Sequence, residues 1–116
     1  MELRPSEAAF LKKLAESRAW WARAASDGLI GSDVPWSDKP EAWAKLSSLL
    51  TTPEAKAAFI AVVSELLSGL THSTLVTLGG GSALAETTLL TIRDADGHEF
   101  VDFLHEFWPE VDRDTP

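Results

Sequence analysis

Leu70-Thr71-His72-Ser73-Thr74-Leu75-Val76-Thr77-Leu78 is the stretch on which the fold turns. Thr71, Thr74, Val76 and Thr77 favour a strand, and His72, Thr74, Val76 and Leu78 would share one of its faces. The competing pattern is helical. Ile60, Val63, Leu67, Leu70, Thr74 and Leu78 continue one stripe straight through Gly69, at a cost of about 1 kcal/mol relative to alanine. The β-branched content tips residues 72–78 towards a strand, and Gly79-Gly80-Gly81 then breaks the element.

Working outward, Thr87 to Arg93 alternates as a strand, with Thr88, Leu90 and Ile92 on one side. Asp94-Ala95-Asp96-Gly97 is a turn carrying the Asp-Gly hairpin signal, so residues 98–101 are expected to pair back. Asp102 to Trp108 reads as a short helix stopped by Pro109, leaving about 110–116 as a frayed acidic tail. On the other side, Ser6 is the expected N-cap of a helix over about 7–26, ended by Asp27-Gly28. Phe10, Leu14 and Trp21 make its core stripe, with Leu11 and Ala25 flanking, and Trp20 falls on its polar side. Residues 28–39 read as an ordered loop pinned by Leu29, Ile30, Val34 and Trp36. Asp38 and Glu41 suggest a capping box for a helix over about 40–50 that buries Trp43, Leu46 and Leu50. Thr52-Pro53-Glu54 opens a third helix over about 53–68 with a cap, a first-turn proline and an acid. The expected fold is therefore α+β in a single domain. Its three N-terminal helices pack on a small antiparallel sheet (about 72–78, 87–93 and 98–101), closed by a short C-terminal helix. So small a sheet has edges to hide, which predicts edge pairing in a homodimer.

The 116 residues contain no cysteine, which excludes disulfides, thiolate metal sites and thiol catalysis. No run of about 18 or more uncharged apolar residues is found, so no membrane span is expected. Glu2, Arg4 and Glu7 stand where a signal peptide needs a basic start and an apolar run, so a cytoplasmic protein is expected.

The net charge of −8 is unevenly spread. Residues 94–116 hold eight acids against Arg113 alone, interleaved with Phe100, Phe103, Phe107 and Trp108. Such a field repels nucleic acid and anionic lipid and steers basic proteins. A solvated, solubilising face is the plainer reading of the same residues. Of the five tryptophans, Trp21 and Trp43 sit on apolar stripes and are expected in the core. Trp20, on a polar face, and Trp36, in a loop, are candidates for a contact surface, where tryptophan is enriched.

No catalytic signature stands out. His98 and His105 are seven apart across a predicted strand-to-helix change, where a helical metal pair needs three or four. Asp94-Ala95-Asp96-Gly97 fails as a calcium loop, because Ile92 and Phe103 would fall where acids are required. Gly79-Gly80-Gly81-Ser82 lacks the lysine of a phosphate-binding loop. No metal or cofactor is expected.

Residues 72–108 resemble small bacterial proteins of unknown function. The likeness is carried by His72 to Gly81, Leu84-Ala85-Glu86, Asp94 to Gly97 and Leu104-His105-Glu106. Those proteins often have aspartate where this chain has Gly79. The resemblance implies a bacterial, single-domain, cytosolic protein and brings no activity with it. The leading expectation is a non-enzymatic interaction protein that binds a basic protein partner through Trp20, Trp36, Asp102, Glu106, Trp108 and Glu110. An immunity protein that neutralises a toxin is its concrete form. The alternatives are a small-ligand or metal-dependent enzyme using His98, His105 and Glu106, and a structural homodimer subunit.

Overall fold

The stretch that decides the fold is helical. In the computed structural model, which describes residues 2–31 and 34–116, one helix runs from Pro53 to Leu78 without a break at Gly69. The other helices are α1 (Pro5–Gly31) and α2 (Pro40–Leu49), which precede it as α3, and α4 (Leu104–Arg113). Among the described residues there is no sheet, and the α+β expectation is corrected to all-α. Thr71, Thr74 and Thr77 argued for a strand through their branched side chains. In the helix each hydroxyl donates to the carbonyl four residues back, on Leu67, Leu70 and Ser73, which satisfies a polar group that a strand would leave to its neighbours.

The start of α3 falls where the sequence places it, whereas its end, expected at about 68, lies at Leu78, before the triple glycine. Thr52 caps it, its Oγ1 accepting from the Ala55 N–H at 3.1 Å, and Pro53 occupies the first turn. The triple glycine closes it as a Schellman motif. The Gly81 N–H donates to the Val76 carbonyl and the Gly80 N–H to that of Thr77, with Gly80 at φ +80°. Gly79 is required for a different reason: a Cβ there would overlap the backbone carbonyl of Asp102.

The other predicted strands are not formed either. Residues 87–92 are irregular, and of the expected hairpin only the turn survives, closed by one isolated bridge between Arg93 and Glu99. Gly97, at φ +85°, makes that turn possible. The loop is held instead by α1. Glu7 is 1% exposed, and its carboxylate accepts from the Arg4 N–H at 2.7 Å and the Val101 N–H at 2.6 Å. The first bond is half of a capping box; the second ties the loop to the helix start. Ser6, expected as the cap, instead donates to Asp94 at 2.8 Å.

Helix α1 runs past Asp27-Gly28 to Gly31. Gly28 is used for packing: a Cβ there would sit 2.9 Å from the Trp43 ring of α2. Residues 28–31 of the predicted loop are thus helical; Ser32 and Asp33 lie outside the described residues. Asp38 does not cap α2, since the Ser37 hydroxyl takes the Lys39 N–H and the Trp43 indole N–H. The buried stripe of α1 is Leu11, Ala15, Ala19, Ala22, Ala25 and Leu29. The bulkier Phe10 and Leu14 only flank it, and Trp21 is 45% exposed. Small side chains let a neighbouring helix approach closely, which hydrophobic weight alone does not register.

Helices α1 and α3 run antiparallel: Leu29 lies near Ala57 and Ile60, Arg18 near Ser64, and Leu11 near Leu75. Helix α4 lies against both. Its Leu104 and Trp108 join Leu11, Ala15 and Leu75 in the buried core. It does not stop at Pro109, and residues 110–113 are helical rather than a frayed tail. Asp112 explains this, because it pairs with Arg18 at 2.6 Å and also accepts from Ser68, while Trp108 Nε1 donates to the Ser68 carbonyl.

The Arg18–Asp112 pair is largely buried, at 9% and 15% side-chain exposure. Arg18→Leu strands the Asp112 carboxylate and should cost about 3–5 kcal/mol in urea unfolding. Gly79→Ala should cost about 1–3 kcal/mol in the same measurement, because the obstructing atom is backbone and cannot swing aside.

Candidate functional site

The eight acids of residues 94–116 divide into two groups. Asp94, Glu99 and Asp112 have internal partners. Glu99 meets Arg93 at 2.7 Å on the surface, and Asp112 is bound as described. Asp94 Oδ1 accepts from the Asp96 and His98 N–H groups at 3.0 Å, and Oδ2 from Ser6. Among the described residues, the side chains of Asp96, Asp102, Glu106, Glu110 and Asp114 form no ion pair and no hydrogen bond, and all five residues are exposed; Glu106 and Glu110 lie on α4 and Asp102 just before it.

Helix geometry separates this face from the core. Counting 100° per residue along α4, Leu104, Trp108 and Val111 fall on one side and Glu106 and Glu110 on the other. The two glutamates are four apart and so are surface neighbours. Arg113 lies on the same side and is the one base of the region. Trp108, placed by the sequence among the partner-binding residues, is 1% exposed and belongs to the core. The alternation of acids and aromatics therefore marks one amphipathic helix rather than a mixed contact patch.

The tryptophans form a second feature. Trp20, Trp21, Trp36 and Trp43 make an edge-to-face chain with successive ring centroids 4.8, 5.3 and 5.7 Å apart. Such contacts stabilise beyond simple burial. Trp20 and Trp36 are 50% and 47% exposed and line a hollow of about 300 Å³ with Arg23, Asp27 and Val34. Trp21, expected in the core, is a link in this chain, and the half-buried Trp43 anchors it to α2. Sixteen residues separate Trp20 from Trp36, so no local pattern announced the assembly.

The histidines are distributed differently from the enzymatic alternative. His98 faces Asp94 at 3.4 Å, whereas His105 packs edge-to-face on His72 with ring centroids 5.6 Å apart. The Nδ1 atom of His105 is enclosed without a hydrogen-bond partner among the described residues. His98, His105 and Glu106 do not converge among the described residues. The acidic turn instead gathers Asp94, Asp96 and His98, with one ligand atom of each within 4.8 Å of the others. Asp94 already spends both oxygens on Ser6 and the turn's own N–H groups, so it closes the turn unaided. Compared with known protein families, with curated proteins and with solved structures, the chain matches none.

The His98 N–H foremost, and the Ser6 hydroxyl next, hold the Asp94 carboxyl below its ordinary value of 3.8; partial burial opposes them. A depressed carboxylate contributes stability above its unfolded value and loses it as pH falls through the folded one. The His98 amide resonance should therefore titrate with a midpoint below 3.8. Asp94→Asn should abolish that titration, and a midpoint at or above the ordinary value would show that these bonds do not hold the turn.

Proposed function

We propose that this chain is a non-enzymatic interaction protein that meets a basic protein partner through the outer side of α4. One observation carries the reading: Asp102, Glu106 and Glu110 remain exposed and unpaired after the fold has drawn Asp94, Glu99 and Asp112 into internal contacts. Unpaired surface carboxylates accelerate encounter with a cationic surface and discriminate against anionic ones. The seating of α4 through Trp108 and Asp112 holds Glu106 and Glu110 on neighbouring turns of one helix side, with Asp102 in the turn before it. Trp20 and Trp36, half exposed around their hollow, supply large and stiff apolar contacts of the kind that anchor protein interfaces. An immunity protein that occupies the basic site of a toxin is the concrete form of this reading.

The test is capture of partners from lysate of the source cells, with washes at low and then high salt. A stoichiometric basic protein released by salt is the expected result. The triple variant Asp102→Lys, Glu106→Lys, Glu110→Lys changes only exposed positions and should stay folded. It should bind that protein at least about tenfold more weakly at low salt, with a flattened salt dependence. Unchanged affinity and salt dependence in this variant would overturn the proposal.

A further inference from the structure

Arg23 and Asp27 are the two charged residues that line the tryptophan hollow, and they stand four apart on α1, so they are surface neighbours. Among the described residues neither forms an ion pair, with the other or with any third group. A cation and an anion that stand side by side without meeting leave both charges open to an occupant. The helix end gives them a direction. Helix α1 stops at Gly31 with no basic residue in its last turn, so the partial negative charge of its carbonyl end is uncompensated and adds to that of Asp27. Arg23 lies one turn further from that end. The hollow is therefore negative towards Gly28 and positive towards Trp20.

The walls of the hollow are aromatic. The ring centroids of Trp20 and Trp36 lie 4.8 and 5.3 Å from that of Trp21, so one cation can touch both rings, given a cation–π reach of about 6 Å from a centroid. Methylated ammonium groups are the cations that such walls hold best, because they are poorly hydrated and spread their charge over apolar surface. Trp36 packs on Trp43, whose ring lies against Gly28, which puts Trp36 at the Asp27 end. The volume of about 300 Å³ is at the low end of ligand sites, which run to roughly 1,000 Å³, so the occupant is small.

We infer that this hollow binds a small zwitterion that carries a methylated ammonium and a carboxylate a few bonds apart, as trimethylglycine does. The ammonium sits against Trp36 and Trp20 beside Asp27, and the Arg23 guanidinium donates to the carboxylate. Charge complementarity selects this class over its halves. A simple cation would have Arg23 as an unfavourable neighbour, and a simple carboxylate would have Asp27. A ligand with both charges pairs both residues at once. Being neutral overall, it is also neither drawn nor repelled at long range by the net charge of −8. Among the described residues none of α4 lines the hollow, so the site is independent of the acidic side of that helix.

Titration of the whole chain with trimethylglycine, followed by tryptophan fluorescence and the indole N–H resonances, should give a saturable change with a dissociation constant of about 1 mM or tighter. Choline keeps the cation and acetate keeps the carboxylate, and each should bind the unaltered chain at least about tenfold more weakly. Asp27→Asn and Arg23→Gln neutralise exposed side chains and should leave the far-ultraviolet circular dichroism unchanged. Each should raise the dissociation constant for trimethylglycine at least about tenfold. In Arg23→Gln, choline and trimethylglycine should bind alike, since the carboxylate has lost its partner. The absence of a saturable change up to about 50 mM would overturn the inference. So would choline or acetate binding the unaltered chain as tightly as trimethylglycine, or an unchanged affinity in either folded variant.

Discussion

The Arg18–Asp112 ion pair is the constraint on which the arrangement of the helices depends. It joins α1 to α4, and Ser64 and Ser68 of α3 hydrogen-bond into it, so three helices meet at one nearly dry polar point. A buried ion pair adds little net stability compared with a hydrophobic substitute, but it tolerates only one register. Here that register places Trp108 over Ser68 and Leu104 over Leu11 and Leu75. It also carries α4 past Pro109, whose missing N–H would otherwise favour ending the helix there.

Satisfying that polar point explains which side of α3 faces inward. Arg18, Asp112 and the Trp108 indole all need partners away from water, and α3 supplies them from Ser64 and Ser68. A helix has only one side to give each neighbour. Turning these serines inward commits Val62, Leu66 and Leu70 to the outside, where they are 55%, 66% and 66% exposed. The exposed apolar line is therefore a consequence of how the core is wired, and it leaves the acids of α4 and the aliphatic stripe of α3 on opposite sides.

Much of the local structure was legible. The starts of α2 and α3, the Thr52 cap, the triple-glycine stop and the Asp94–Gly97 turn follow from side-chain chemistry acting over a few residues. The misreadings share a cause. Branched side chains favour a strand at residues 72–78, yet threonine hydroxyls are satisfied inside the helix by the preceding turn. Bulk points to Phe10, Leu14 and Trp21 as the stripe of α1, yet the residues buried there include the small Ala15, Ala19 and Ala22. Of the expected partner-binding residues, Glu106 and Glu110 are exposed on the outer side of α4 and Asp102 in the turn before it, whereas Trp108 is consumed by the core.

By itself the sequence determined where α2 and α3 begin, where the charge is concentrated and where the backbone turns at Gly79–Gly81 and Asp94–Gly97. Those properties depend on capping groups, glycine conformations and net charge, which act locally or by simple summation. Only the tertiary structure decided that 72–78 belongs to α3, that Asp94, Glu99 and Asp112 are spent internally while Asp102, Glu106 and Glu110 are not, and that four tryptophans join in a chain. These outcomes depend on pairs such as Arg18 with Asp112 and Glu7 with Val101, each separated by 94 residues. No local periodicity encodes such a pair; it forms only when the chain folds back and the buried polar groups find one another.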